Sequence, residues 1–304
     1  MVAAIRVENL VKDYGEHRAV DGIDLEVRQG EILAFLGPNG AGKTTTVEIL
    51  EGFRTATSGR ISVLGENPAQ APRSWRERIG IVLQESEPVP ELTAVEAVRM
   101  HAGYYANPRA VGETLELVGL SDAANQRSSK LSGGQKRRLD LAIALVGNPE
   151  LIFLDEPTTG FDPSARREAW AMIDALRSLG NTVLLTTHYM DEAQNLADRI
   201  TVIGNGKIVA NGTAAELAAL VNAKPRVSWL QPPESSAPPP AFGYTVTDGR
   251  ATLETTSVVS TLNELTSWAI KNQVDLADLT VEHPSLEDTY LALTNPDNSR
   301  QGQV

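Results

Sequence analysis

The glycine-rich segment GPNGAGKT, residues 37–44, constrains the fold of this chain more than any other feature. It follows the apolar run EILAFL and precedes TTTVEILEG, which has the composition of a helix that ends at Gly52. A glycine loop with a lysine, placed between a strand and a helix, surrounds phosphates with its backbone N–H groups. The sequence therefore predicts an α/β nucleotide-binding fold in which Lys43 neutralises the β- and γ-phosphate oxygens and the Thr44 hydroxyl reaches Mg²⁺.

The acidic residues that such a loop needs follow a second apolar run, LIFLDE at residues 151–156. Four apolar residues in a row indicate a buried strand of a parallel sheet, and they place Asp155 at its carboxyl end, where Mg²⁺ is held. Glu156 has no packing purpose at that position. It is therefore a candidate to orient or deprotonate an attacking water.

A second glycine-rich turn, LSGGQ at residues 131–135, begins the helical segment LSGGQKRRLDLAIALVGN and contains no lysine. Its serine and glycines leave N–H groups exposed at a helix N-terminus, which suits a phosphate, although an ordinary N-cap at Ser132 is the alternative. Lys136, Arg137 and Arg138 in the first turn oppose the helix dipole, and an anion arriving from elsewhere would offset that cost. The alternative for Arg137 and Arg138 is a solvated basic face.

The order of predicted elements indicates an α/β frame with a helical insert. Short strands come first, among them ISVLG at 61–65 and IGIVLQ at 79–84, the second of which ends at Gln84. From Thr93 to Gly147 the apolar spacing is helical, and strands and helices alternate again after it.

A proline-rich stretch, QPPESSAPPP at 231–240, precedes a predicted hairpin, an amphipathic helix, a strand and a last helix, SLEDTYLALT. The strands of this small α+β region could begin before the stretch, at RVSWL, which would make the stretch a loop inside it. We predict two domains, residues 1–222 and 223–304, with a helical subdomain at about 85–148 in the first.

Charge and cysteine content narrow the function. The net charge of −12 argues against nucleic acid as a partner, because nucleic-acid-binding proteins present a basic surface. Without cysteine, neither disulfides nor a thiolate metal site can form. Charges from Arg6 to Asp13 interrupt the start before any signal-peptide core, and no apolar run is as long as a membrane helix, so we expect a soluble, cytoplasmic chain.

These motifs and their order resemble the ATP-binding subunit of an ABC transporter over residues 5–220. GPNGAGKT resembles the Walker A loop, LSGGQ the signature motif and LIFLDE the Walker B strand. The segment TGFDP at 159–163 resembles the D-loop, although Phe161 stands where leucine is usual. The resemblance also makes Gln84 the Q-loop residue, His188 the switch histidine and Tyr14 the aromatic residue that lies against adenine.

The resemblance implies ATP and Mg²⁺ as cofactors and gives each matching residue a role. The nucleotide contacts are Tyr14, Gly37, Pro38, Asn39, Gly40, Ala41, Gly42, Lys43, Thr44 and Thr45. The signature residues, which contact the nucleotide of a second copy, are Leu131, Ser132, Gly133, Gly134 and Gln135. The metal ligands are Thr44, Gln84 and Asp155, and the catalytic residues are Glu156, His188 and Gln84.

Some residues keep two interpretations or have no role. Asp162 belongs either to the dimer interface or to a helix N-cap before Pro163. His17, His101 and His283 have no matching context and are interpreted as ordinary residues.

The resemblance also implies an architecture and partners. The expected fold is a P-loop NTPase core with an antiparallel β subdomain and a helical subdomain, followed by the small C-terminal domain. Two copies are expected to pack head to tail, so that LSGGQ of one covers the ATP held by the other. Because no motif is degenerate, a homodimer is favoured over a heterodimer.

The transport pathway is expected on a separate transmembrane subunit, because this chain has no membrane segment of its own. The segment ESEPVPELTAVEAV after Gln84 lies where the family docks on that subunit, at the cytoplasmic face of the membrane. The ending PSLEDTYLALT and the longer form LSGGQKRRLDLA resemble drug-resistance-type (ABC-2) exporters. We therefore expect export of a drug, a lipid or another amphipathic molecule.

Non-transport relatives are the alternative. DNA-repair ATPases of this type separate the P-loop from the signature by long coiled coils, whereas the interval here has no heptad run. Translation factors usually carry two cassettes and basic arms. A third alternative is a regulatory scaffold that binds ATP without hydrolysing it. The intact Glu156 and His188 argue against that alternative.

Overall fold

The computed structural model describes residues 2–84, 89–221, 224–230, 243–282, 286–287 and 289–290. The chain forms two compact units, Met1–Ala214 and Ala215–Val304. The sequence places the domain division at residues 222–223, on the far side of one short helix, and that boundary stays a prediction. Across the described residues, no helix is long and apolar enough to cross a membrane.

The strands of the first unit form two sheets. In chain order they are β1 (Ala3–Tyr14), β2 (His17–Arg28), β3 (Ile32–Leu36), β4 (Ser58–Val63), β5 (Ile79–Val82), β6 (Leu151–Asp155), β7 (Thr182–Thr187), β8 (Arg199–Gly204) and β9 (Lys207–Gly212). The six-stranded sheet has the order β5-β6-β7-β3-β8-β9, and its neighbours pair in parallel except for the β8–β9 hairpin. The antiparallel sheet has the order β2-β1-β4.

The central strands are buried on both faces, as their continuous apolar sequences predict. Every residue of β3 (ILAFL) and β7 (TVLLTT) is buried. A single apolar cluster joins Ile5 and Ile23 of the antiparallel sheet to Phe35 of the central sheet and to Trp75. The Trp75 indole N–H donates to the Val63 carbonyl at 2.8 Å, so this large side chain is buried without an unpaired donor.

The helices of the first unit cover the sheet and build the insert. They are α1 (Lys43–Leu50), α2 (Arg73–Arg76), α3 (Ala94–Ala102), α4 (Val111–Leu117), α5 (Gly133–Leu145), α6 (Pro163–Ser178) and α7 (Met190–Leu196), and α8 (Ala214–Leu220) begins at the unit's last residue. α3, α4 and α5 contact one another and occupy the interval predicted to be helical. α3 begins with a capping box, in which the side chains of Thr93 and Glu96 each accept a bond from the other's backbone N–H.

Two predicted strand ends are wrong. β4 ends at Val63 rather than at residue 65, because Leu64 and Gly65 have φ angles of 51° and 87°, which do not fit a strand. β5 ends at Val82, so Gln84 lies in the loop beyond the strand and does not end it. Sheet pairing therefore does not fix the direction of the Gln84 side chain.

The second unit contains an antiparallel sheet and one long helix. Its strands are β10 (Arg226–Leu230), β11 (Thr245–Thr247), β12 (Arg250–Glu254) and β13 (Thr280–Glu282), in the order β11-β12-β10-β13, and its helix is α9 (Val258–Lys271). Val227, Trp229 and Leu253 of the sheet pack with Leu265 of α9. The sheet therefore uses chain from both sides of the proline-rich stretch, which itself lies outside the described residues, as does most of the predicted last helix.

A buried carboxyl group lies at the end of α1. Glu51 is only 6% exposed and borders a cavity of about 490 Å³ together with Trp75, Ile79 and Tyr105. Burial raises the pKa of Glu51 to about 8, and the negative charges of Asp155 and Glu48 add to the effect. Among the ion pairs of the described residues, none includes Glu51.

We expect Glu51→Gln to stabilise the protein at alkaline pH. The folded-state pKa of Glu51 lies above its unfolded value, so its stability contribution is intact below about pH 4.5 and is lost as the pH rises to about 8. Glutamine does not titrate, so the variant should match the wild type near pH 4.5 and exceed it by on the order of 4 kcal/mol above pH 8. Denaturant unfolding across this pH range measures the difference. Glu116→Gln, at an exposed site, is the control, and a Glu51→Gln difference that does not grow with pH would contradict the assignment.

We expect truncation near Ala223 to leave nucleotide binding intact, since every predicted phosphate contact precedes that residue. The ATP affinity of the shortened chain should stay within a few fold of the full-length value, measured by fluorescence titration with an ATP analogue. Circular dichroism establishes that the shortened chain is folded. A folded chain that no longer binds ATP would show that the second unit belongs to the nucleotide site.

Candidate active site

Four neighbouring strands bring the predicted motifs to one edge of the central sheet. The phosphate loop follows β3, Gln84 follows β5, Asp155 ends β6 and His188 follows β7. Because these strands are parallel and adjacent, their carboxyl ends lie side by side. In open parallel sheets this edge is where ligands bind.

The phosphate loop leads into a helix whose first N–H groups have no side-chain cap. α1 begins at Lys43 with Gly42 as its N-cap at φ 103°, a conformation that favours glycine. A Cβ at Gly42 would lie 2.6 Å from the Ala19 carbonyl oxygen, and one at Gly37 would lie 2.4 Å from that of Ile203. Both glycines are therefore required, and the uncapped N-terminus offers its donors to an anion.

Lys43 is held inside the loop by backbone oxygens. Its ammonium donates to the carbonyls of Gly37 at 2.6 Å and Pro38 at 3.1 Å, and the side chain is nearly buried. Desolvation lowers its pKa, while the charges of Glu156 and Asp155 act in the opposite direction. The cation is thus fixed at the position where phosphate oxygens would meet the loop.

The Thr186 hydroxyl fixes both acidic residues at the end of β6. It donates to the Asp155 carboxylate at 2.5 Å and accepts from the Glu156 backbone N–H at 3.1 Å. The same N–H also lies 3.1 Å from the Thr186 carbonyl oxygen. Sequence patterns do not single out Thr186, because its position opposite Asp155 follows from the pairing of β6 with β7.

Three side chains converge on the Glu156 carboxylate. His188 Nδ1 lies 3.1 Å from its Oε1, while the Gln84 amide and the Thr159 hydroxyl donate to Oε2 at 3.3 and 3.1 Å. The backbone of Glu156 has φ 45°, in the left-handed region that a β-carbon disfavours. The structure therefore holds this carboxylate in one orientation, at a conformational cost.

The donor set fits a magnesium ion. Mg²⁺ usually binds through one or two carboxylates together with phosphate oxygens and water, so a site with three carboxylates is not needed. Asp155, Gln84 and Thr44 border the same cleft, and all three offer oxygen donors. No cluster of three or more acidic or histidine ligands occurs among the described residues.

Tyr14 lies at the mouth of this cleft. The residue is 39% exposed, with the Lys12 ammonium 5.0 Å and the Arg54 guanidinium 5.7 Å from the ring centroid. The cleft has a volume of about 460 Å³. It is lined by Tyr14, His17, Ala19, Asn39, Gly40, Gly42, Lys43, Thr44, Thr45, Gln84, Asp155 and Glu156.

His17 is a lining residue that sequence reasoning missed. Tyr14 and His17 are paired residues at the end of the β1–β2 hairpin, so they face the cleft from one turn. The proximity of this hairpin to the phosphate loop is a property of the tertiary structure, which the local sequence does not show. The interpretation of His17 as an ordinary residue is therefore incomplete.

The signature turn caps its own helix. The Ser132 hydroxyl accepts from the Gln135 N–H at 3.2 Å, and the Gln135 side-chain oxygen accepts from the Ser132 N–H at 2.9 Å. The turn borders an open recess of about 780 Å³, which Thr159, Gly160 and Asp162 also line. A serine that accepts through a lone pair still has its hydroxyl proton available, so capping and ligand binding are compatible.

Asp162 is the N-cap of α6. Its carboxylate accepts from the N–H groups of Ser164 at 2.8 Å and Ala165 at 2.9 Å, and these backbone bonds lower its pKa. The structure thus supports the N-cap interpretation. A role at a dimer interface stays a prediction.

The alternative interpretation of Arg137 and Arg138 as a solvated basic face does not fit the structure. Arg138 pairs with Glu168 of α6, and Arg137 turns inward onto backbone carbonyls. An isolated helix pattern cannot reveal this, because every partner lies on another element. The same holds for Glu192, fully buried in α7, whose carboxylate accepts from the Thr158 hydroxyl at 2.8 Å.

The geometry defines a class of protein. A helix N-terminus and a lysine line a cleft suited to phosphates, a carboxylate suited to Mg²⁺ lies beside them, and a second carboxylate lines the same cleft. This is the arrangement of a P-loop protein that hydrolyses a nucleoside triphosphate.

Comparison with known proteins agrees with this class. The family model described as ABC transporter matches residues 20–159, and a model for the C-terminal domain of ABC transporter domain-containing protein-like sequences matches residues 232–285. The daunorubicin resistance ATP-binding protein DrrA2 of Streptomyces coeruleorubidus is 40% identical, covering 96% of this chain and 95% of its own. The Nod factor export ATP-binding protein I of Cupriavidus metallidurans is 42% identical, covering 71% of this chain and 73% of its own.

A solved structure shares the fold. It is a dimeric, post-hydrolysis state of the ATP-binding cassette MJ0796 bound to ADP and phosphate, with a TM-score of 0.61 and 26% identity, covering 69% of this chain and 98% of that one. The chain belongs to the family of ABC transporter ATP-binding subunits, and it is an ATPase of the ABC type.

Proposed function

We propose that this chain is the ATP-hydrolysing subunit of an exporter, and that two copies pack head to tail around two Mg-ATP. The observation that carries the hydrolytic part is the Glu156 carboxylate, oriented by His188, Gln84 and Thr159 at the edge of the phosphate cleft. The dimer assigns the partner's LSGGQ turn to the γ-phosphate side of each cleft.

The two glycines of the signature turn support the head-to-tail arrangement. A Cβ at Gly133 or Gly134 would meet no atom of this chain within 4 Å, so internal packing does not require glycine at either position. Alanine would favour the helix by up to about 1 kcal/mol. Glycine there is explained if another molecule approaches this backbone closely, as the phosphates of a partner's nucleotide would.

The chemistry follows from the positions of the side chains. Lys43 and the N–H groups of α1 bind phosphate oxygens, and Thr44, Gln84 and Asp155 would hold Mg²⁺, which neutralises charge on those oxygens. Glu156 accepts the proton of the attacking water, or orients that water, in line with the γ-phosphorus. His188 keeps the Glu156 carboxylate in place through its Nδ1 contact of 3.1 Å.

The names of similar proteins support a role in export. DrrA2 is a daunorubicin resistance protein, and the Cupriavidus relative serves Nod factor export. We therefore assign a drug, lipid or other amphipathic molecule as the cargo class. A separate membrane-spanning subunit would carry it, with this chain bound at the cytoplasmic face of the membrane.

We expect Glu156→Gln to lower kcat by at least about 10²-fold while ATP binding is kept, because glutamine preserves size and polarity but removes the negative charge and most of the basicity. Single-turnover hydrolysis and nucleotide affinity are measured on the same preparation. Lys43→Ala is the contrasting variant, in which binding and turnover should fall together because Lys43 contacts the phosphates in both states. Near-normal hydrolysis by Glu156→Gln would remove Glu156 from the mechanism, and lost binding would give it a structural role.

We expect the Glu156→Gln protein to be monomeric without ATP and dimeric with it, since each site needs LSGGQ from a second copy. Light scattering at micromolar protein, with and without Mg-ATP, measures the mass directly. Ser132→Ala in the same background should weaken the contact in trans, and because it also removes the N-cap of α5, circular dichroism must show that this control is folded. A mass that ATP leaves unchanged would contradict the head-to-tail homodimer.

A further inference from the structure

Arg137 connects the signature helix to the catalytic edge of the same chain. It lies near the start of α5, two residues after LSGGQ. Its Nη2 donates to the Asp155 carbonyl oxygen at 2.9 Å and its Nε to that of Pro157 at 3.2 Å. Its Nη1 donates to the Leu83 carbonyl and lies 3.4 Å from that of Gln84.

This guanidinium is held by backbone carbonyls rather than by a carboxylate. No ion pair of Arg137 occurs among the described residues, and burial lowers its pKa, with the charges of Asp140, Asp155 and Glu192 opposing that shift. A buried cation is costly unless several oxygens solvate it, and an arginine remains charged in proteins. The planar fork of arginine also fixes direction, which the single ammonium of lysine does not.

The residues at the two ends of this side chain serve different nucleotides. The signature turn at the α5 end is assigned to the partner's ATP, an assignment that rests on the proposed function. The carbonyls at the other end belong to the segments that carry Gln84, Asp155 and Glu156, which act on this chain's own ATP. Any shift of α5 that accompanies ligand binding at LSGGQ therefore moves the donors of these carbonyl bonds.

We propose that Arg137 is a positioning residue that couples occupation of the signature turn by the partner's nucleotide to the alignment of Gln84 and Glu156 in its own chain. Through this link, hydrolysis in one site depends on closure of the other. Arg138, the next residue, contacts Gly119 and Glu168 and touches neither catalytic segment. Because it donates no hydrogen bond to the segments that carry Gln84, Asp155 and Glu156, it serves as a matched control for the Arg137 bonds.

The test compares Arg137→Gln, Arg137→Lys and Arg138→Gln in full-length protein. The ATP dependence of steady-state hydrolysis gives kcat and the Hill coefficient, and fluorescent nucleotide titration gives binding to the monomer. For Arg137→Gln we expect unchanged monomer binding, a kcat lowered by at least about 10-fold, and a Hill coefficient that falls from near 2 towards 1. For Arg137→Lys we expect a kcat and a Hill coefficient between those of the wild type and Arg137→Gln. Arg138→Gln should keep the Hill coefficient of the wild type.

A second measurement separates coupling from a local folding defect. The double variant Glu156→Gln with Arg137→Gln should still form the ATP-dependent dimer, because its signature turn is intact. Loss of that dimer, or wild-type cooperativity in Arg137→Gln, would overturn the coupling role. If the wild type and Glu156→Gln alone show no ATP-dependent dimer, the proposed function fails first and the inference fails with it.

Discussion

The parallel pairing of β5, β6, β7 and β3 is the constraint on which the rest of the site depends. It brings four chain segments that are far apart in sequence to one edge of the sheet. There β6 ends in the acidic residue Asp155, β5 and β7 lead into loops, and β3 leads into the phosphate loop and the N-terminus of α1. Parallel strands need long crossover connections, and the helical insert is one of them, between β5 and β6. The crossover that the topology requires is thus also the element that carries the signature turn.

Buried polar groups hold this edge in one arrangement. Lys43 donates to carbonyls of its own loop, Arg137 donates to carbonyls of two neighbouring segments, and Glu192 Oε1 accepts from a hydroxyl and an indole donor. Each group would cost several kcal/mol if its partners were removed. Since the partners of Arg137 and Glu192 belong to other elements, movement of one element disturbs the others, which is a physical basis for cooperativity. Glu51 differs, because it is buried beside a cavity and has no ion-pair partner among the described residues, and this burial raises its pKa.

Local patterns predicted the strands, the phosphate loop and the class of chemistry, because those depend on neighbours in sequence. GPNGAGKT carries its own strand–helix context, and LIFLDE reads as a buried strand end. Thr186, Arg137 and Glu192 escaped prediction because their contacts join elements distant in the chain. The interpretation of Arg137 and Arg138 as a solvated basic face does not fit for the same reason. A helix pattern shows the spacing of its residues but not which other elements pack against them. The two strand ends were predicted wrongly because β4 stops where Leu64 and Gly65 take positive φ angles, and β5 stops before the loop that contains Gln84. Side-chain type is a weak guide to where a strand ends.

The signature turn satisfies two requirements that would conflict in an ordinary helix. The capping box of Ser132 and Gln135 stabilises the start of α5 without any ligand, so the turn is already formed before a partner arrives. Preformed sites lose less entropy on binding, which raises affinity for the same contacts. The glycines that follow keep the approach open and the N–H groups accessible. Their cost in helix propensity is borne by each free chain, whereas the gain is realised only in a complex. These features favour the proposed contact of the turn with a partner's nucleotide, and Arg137 is the side chain that we propose transmits that contact to the chain's own catalytic edge.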